Sequence, residues 1–129
     1  MSDKTLIIHG RLPGLNDLID AERRHRQQGA KLKREAEKKI RMYIRQQLRG
    51  YRPKPPVTLY YYFYELNKRR DHDNVFSFAA KVVQDSLVKE GIIDNDGWEH
   101  IHEFYAKFYV DKEFPRIEVE IVESKAVKS

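Results

Sequence analysis

The chain contains no cysteine, so disulfide staples, zinc–thiolate sites and thiol nucleophiles are all excluded. No apolar run approaches the roughly 18 residues that span a bilayer. The opening MSDKTLIIHG offers only Leu6-Ile7-Ile8 where a secretory signal needs an apolar stretch of at least about seven residues. A cytoplasmic protein with no membrane partner and no small-molecule cofactor is therefore expected. Repeats, low-complexity tracts and interdomain linkers are also missing, and 129 residues are one domain's worth of core, so residues 1–129 read as a single domain.

Positive charge, in contrast, is abundant and unevenly placed. The chain has 25 Lys and Arg against 20 Asp and Glu, a net +5. Residues 21–54 hold thirteen Lys or Arg and only Glu22, Glu35 and Glu37, so this stretch carries +10 and the remainder −5. A basic block joined to an acidic remainder suits a polyanion binder whose carboxylates are concentrated elsewhere; a solvated helix face explains the same composition.

The elements follow from periodicity. Thr5–His9 reads as a short strand closed by Gly10 and Pro13-Gly14. Residues 15–29 read as a loop or short helix ended by Gly29. Leu32, Ala36, Ile40, Ile44 and Leu48 recur every four residues and predict a helix over 30–49, stopped by Gly50 and the proline-rich stretch after it. VTLYYYFYE at 57–65 is β-branched and aromatic, hence a strand. Helical spacing returns over 75–90 with Gly91 as its terminator, and two strands follow at 100–110 and around Ile117, Val119 and Ile121. Residues 124–129 read as a frayed tail. The order is β-α-β-α-β-β, an α+β pattern with two main helices.

Asp71 and Asp73 stand one residue apart where a strand hands over to a helix. In an extended stretch both carboxylates project to one side, which suits a hard cation such as Mg²⁺. Asp73 as the cap of a helix beginning at Asn74, with Asp71 in the turn, is the competing reading. Asp94-Asn95-Asp96-Gly97 has turn chemistry, and neither acidic stretch has an EF-hand pattern. His72 lies between the two aspartates as a neighbour, not a ligand. His100 and His102 share a strand face, and Tyr60 to Tyr64 read as a buried strand before they read as a base-stacking platform.

Taken in series, Lys68-Arg69-Arg70-Asp71-His72-Asp73-Asn74, then Lys81 and Asp85, then Gly91, then Asn95-Asp96 resemble the RusA family of Holliday junction resolvases of bacteria and prophages. That family has a basic run leading into D-x-D-N, a helix with Lys and Asp four apart, a glycine, and an acidic turn. The likeness covers the C-terminal two-thirds, and Pro13-Gly14-Leu15-Asn16 resembles the family's opening. It implies a mixed sheet of about four strands packed on the helices, and a Mg²⁺-dependent endodeoxyribonuclease (Mn²⁺ substituting) that acts as a homodimer on four-way or other branched DNA. It further implies Asp71, Asp73 and Asp96 as catalytic metal ligands and Lys81 as the catalytic lysine. Lys81 stands eight residues after Asp73, four more than in the founding member, with Ser77 at the nearer position. Lys68, Arg69 and Arg70, with Arg34, Lys38, Arg41 and Arg45 of the basic helix, are the candidate DNA contacts. Rival readings are a nuclease for flaps or forks and a non-catalytic DNA binder.

Overall fold

A computed structural model describes residues 3–124, in the order β1 (Lys4–His9), α1 (Leu15–Arg24), α2 (Arg26–Gln47), β2 (Val57–Glu65), α3 (His72–Lys89), β3 (Ile101–Val110) and β4 (Arg116–Glu123). The four strands form one mixed sheet in the order β1-β4-β2-β3; β4 runs antiparallel to both β1 and β2, while β2 and β3 are parallel. The fold is α+β, with one more helix than the sequence pattern indicates.

Alternation along the strands decides which face of the sheet is covered. Leu6 and Ile8 of β1, Leu59, Tyr61 and Phe63 of β2, and Ile117, Val119 and Ile121 of β4 are buried together. The stripe Ala36, Ile40, Ile44 and Leu48 from α2 and its C-cap joins this core, as do Val75, Phe78, Ala79, Val82, Val83 and Leu87 from α3. Tyr60, Tyr62 and Tyr64 occupy the alternate positions of β2 and are half-buried; Tyr60 stacks on Tyr105 and Tyr64 on Tyr109 across the parallel pair.

The main departure from the sequence reading is at residues 15–29, which are helical throughout except at His25. His25 is extended (φ −167°, ψ 137°), and its Nδ1 accepts from the Gln27 N–H, which starts α2 at Arg26, four residues before the helix predicted over 30–49. Gly29 does not end anything. It lies buried inside α2, where a Cβ would come within 2.3 Å of Glu22 Cγ on α1, so the glycine sets how closely the two helices meet. Similarly, α3 begins at His72 and β3 at Ile101, which leaves His100 ahead of the strand instead of paired with His102 on its face. Of the expected tail, Ser124 donates its N–H to the Pro56 carbonyl at 2.9 Å, and 125–129 lie outside the described residues.

Two long-range ties fix α1 and α2 to α3. Helix α1 has glycine at its N-cap and no side chain there to accept a backbone N–H. Asn74 supplies the missing acceptor from α3: its Oδ1 takes the Asn16 N–H at 2.9 Å, while Asp17 takes the Gly14 N–H at 2.7 Å. Gly14 leaves the room for this, since a Cβ there would stand 2.4 Å from Asn74 Oδ1 and 3.0 Å from the Asn74 carbonyl. Gly14→Ala is therefore expected to cost about 1–3 kcal/mol by overpacking, read as a lower urea midpoint; a midpoint equal to the parent's would refute this account of the contact.

The second tie is ionic. Glu90, at the end of α3, accepts from Arg41 Nε at 2.7 Å and from Arg45 Nε and Nη2 at 3.0 Å, while Lys89 reaches Glu37 at 2.6 Å. Arg45 and then Arg41 hold the Glu90 carboxyl below its ordinary value of 4.5. A depressed folded pKa gives stability that is present above the unfolded value and is lost as the pH falls through the folded one. Between neutral pH and pH values below 4.5, the parent should lose more stability than Glu90→Gln, by parallel urea titrations; identical losses would exclude the contribution.

Candidate active site

Strand β2 ends at Glu65, and seven residues later, at His72, the chain enters α3. The return is fastened by one arginine. Arg70 forks onto Glu65, with Nε and Nη2 each 2.9 Å from a carboxylate oxygen, and its Nη1 donates to the Leu12 carbonyl at 2.9 Å. Arg11 Nε adds charge 3.7 Å from the same carboxylate. Only 9% of the Glu65 side chain and 15% of the Arg70 side chain remain exposed. The strand end, the loop after β1 and the start of α3 are thus held at one point by a paired, largely desolvated fork.

Asp71 follows at once and is the N-cap of α3. Its backbone is extended (φ −73°, ψ 169°) and its Oδ1 accepts the Asn74 N–H at 2.8 Å. The cap is therefore Asp71, not Asp73, and the D-x-D stretch is not extended: Asp73 lies in the first helical turn. Both carboxylates sit at the positive end of the α3 dipole. An open cleft of about 740 Å³ lies here, lined among others by Lys68, Asp71, His72, Asp73, Phe108 and Tyr109. The His72 ring lies flat on Phe108, centroids 3.9 Å apart and planes 2° apart, so it forms part of the cleft wall where α3 meets β3.

Lys81 lies two turns further along α3, about 12 Å from Asp73 at the helical rise. Asp73, Ser77 and Lys81 are exposed at four-residue intervals, with Asp85 half-buried next in the row, so all four share one stripe of the helix. The Lys81 ammonium bonds Asp85 at 3.2 Å and Asp96 at 3.4 Å. Asp96 comes from the turn 94–97, which Asn95 shapes by accepting the Gly97 N–H at 2.8 Å. Asp85, then Asp96, raises the Lys81 pKa above 10.5. Near neutral pH this lysine is a fixed positive charge and not a proton shuttle.

The candidate residues thus fall into two groups. Asp71, Asp73, Lys68 and Arg70 surround one cleft, while Lys81 and Asp96 pair further down α3. Among the described residues, no three His, Asp or Glu side chains are gathered closely enough to hold a metal ion. Arg69 is exposed on the turn before the cleft, and Arg34 and Lys38 are exposed on α2. Arg41 and Arg45 are bound to Glu90, so their side chains join α2 to α3. Glu65, Asn74 and Phe108 escape a reading of the sequence. Asn74 alone carried a signal, as part of D-x-D-N.

The family model of the endodeoxyribonuclease RusA matches residues 20–122. No curated protein matches the chain. No helix among the described residues is long and apolar enough to cross a membrane.

Proposed function

The chain belongs to the RusA family of endodeoxyribonucleases, which resolve Holliday junctions, and from that premise we propose that its cleavage is Mg²⁺-dependent, serves DNA recombination and repair, and rests on Asp71, Asp73, Asp96 and Lys81. The observation that carries the reading is the pair of carboxylates, Asp71 and Asp73, at the lip of one open cleft beside Lys68. Carboxylate oxygens are the donors that Mg²⁺ takes, and a protein that only binds DNA gains nothing from two of them facing phosphate. Asp96, paired with Lys81 in this structure, would be the third ligand.

When bound, the ion supplies positive charge to the phosphodiester and acidifies water. The chain's own groups do the rest. Asp71 and Asp73, at the start of α3, would hold the ion. Lys81, whose charge Asp85 chiefly sustains, offers charge to the phosphate or the departing oxygen. Lys68 and Arg69 meet the strand beside the cleft, and Arg34 and Lys38 meet the backbone of a flanking arm, giving steep salt dependence and little sequence information. Arg70 positions the cleft through Glu65. Arg41 and Arg45 contribute to the same basic surface while they anchor α2. Paired cuts across a four-way junction need two active sites and each chain holds one cleft, so the working unit is a homodimer.

The test is a labelled immobile four-way junction and a matched linear duplex, each incubated with Mg²⁺, Mn²⁺ or EDTA. Symmetric nicks on the junction that disappear with EDTA are expected. Equal cutting of the linear duplex would overturn junction selectivity, and cutting in EDTA would overturn the role given to the metal.

A further inference from the structure

Strand β3 is an outer strand of the sheet, paired to β2 on one side only. It is ten residues long, has no proline, and leaves unusually apolar surface in water. Phe104 (50%), Tyr105 (48%), Tyr109 (43%) and Val110 (42%) account for four of the nine large hydrophobic residues exposed on the described chain. A long aromatic edge of this kind is a template for another strand unless something covers it. The free side of its backbone can be assigned. Asp111 donates its N–H to the Glu65 carbonyl, so the odd-numbered residues 105–111 turn their backbone groups toward β2. The N–H and C=O groups of Phe104, Ala106, Phe108 and Val110 therefore point outward, and no described residue bonds them.

The charges along this edge are balanced, which argues against DNA as its occupant and in favour of self-pairing. Glu103 and Lys107 stand two residues either side of Tyr105, on the same face of the strand. In an antiparallel pairing of two copies about Tyr105, Glu103 lies opposite Lys107 of the partner subunit, and Lys107 opposite Glu103 of the partner subunit. In the single chain Glu103 accepts a hydrogen bond from the Tyr105 hydroxyl, while Lys107 makes no ion pair among the described residues. The same register makes residues 104 and 106 exchange their outward backbone hydrogen bonds and leaves the two Tyr105 residues as a close, non-hydrogen-bonded pair on the two-fold axis.

We infer that a second copy of this chain pairs antiparallel along β3, centred on Tyr105, to extend the two sheets into one. The inference rests on the homodimer reading above and assigns its surface. It also sets the two clefts apart: Tyr109 lines each cleft, and the two Tyr109 positions fall about 26 Å from each other along the paired strands.

The absence of native cysteine makes the test clean. Tyr105→Cys should form a disulfide-linked dimer under mild oxidation, because a non-hydrogen-bonded pair brings the two Cα atoms to about 4.5 Å. Tyr109→Cys, comparably exposed, should not. By sedimentation, Glu103→Lys should shift the protein to monomer by at least about tenfold in dissociation constant, and the double exchange Glu103→Lys with Lys107→Glu should restore the dimer. A dimeric parent whose Tyr105→Cys variant fails to cross-link and whose Glu103→Lys variant stays dimeric would overturn the surface and leave the homodimer standing. A parent that is monomeric both free and on a junction would overturn both.

Discussion

Asp71→Asn is expected to lower junction cleavage by about 10²–10³-fold or more while leaving the urea midpoint unchanged. The two halves have different physical origins. Asp71 serves as the cap of α3 through one oxygen, at 2.8 Å from the Asn74 N–H, and Asn caps helices as well as Asp does. The substitution therefore keeps the cap and removes the charge, and with it a hard donor for the ion. Loss of one preorganised electrostatic contact at a reacting phosphate costs on the order of 3–4 kcal/mol of transition-state stabilisation. Asp71→Ala removes both and should add about 1 kcal/mol of destabilisation. Asp73→Asn makes no cap and should lose activity alone. Raising Mg²⁺ should recover part of the Asp71→Asn rate if the loss lies in metal affinity. Normal cleavage by Asp71→Asn would reduce this residue to a helix cap and sink the proposed site.

Arg70→Met should be the most destabilising of the substitutions considered, by about 3 kcal/mol. It leaves the Glu65 carboxylate, 9% exposed, without the fork that compensates its desolvation, and the Leu12 carbonyl loses a donor as well. The value sits at the low end for a broken buried pair because Arg11, 3.7 Å away, remains to offset some of the charge. Glu65→Leu combined with Arg70→Met should recover much of the loss, since removing both partners leaves no orphaned charge. Urea denaturation of the two single variants and the double gives the coupling directly. Additive losses would show that the fork contributes little and that Arg70 is free to act on DNA.

What the sequence made legible was what repeats locally. The four-residue spacing from Leu32 to Leu48 and the alternation Ile117-Val119-Ile121 located α2 and β4, because one buried stripe or face leaves a period in the residues that fill it. Residues 15–29 defeated that logic. Gly29 reads as a breaker, yet it is a contact between two helices, and the true break at His25 depends on a ring nitrogen acting as a cap. At the site, D-x-D-N was visible as a cluster of acids before a helix, but the division of labour within it was not. Asp71 as cap and Asn74 as the acceptor for another helix depend on contacts 3 and 58 residues away. The Arg70–Glu65 fork and the binding of Arg41 and Arg45 to Glu90 were hidden for the same reason: a run of basic residues shows its charge without showing which members already have a partner.

The acceptor that Asn74 lends to α1 also bears on what α1 needs from the rest of the chain. Ten residues are too few for a helix to persist by itself in water, and the N-cap of α1 has no side chain to accept a backbone N–H. Its first turn is completed only with α3 beside it, so α1 depends on the helix it is docked against. The lip of the cleft is therefore the place where a dependent helix is fastened to the helix that carries the acids. An opening of α1 releases Asn74, the neighbour of Asp73, and uncovers the part of the core on which Leu18 packs.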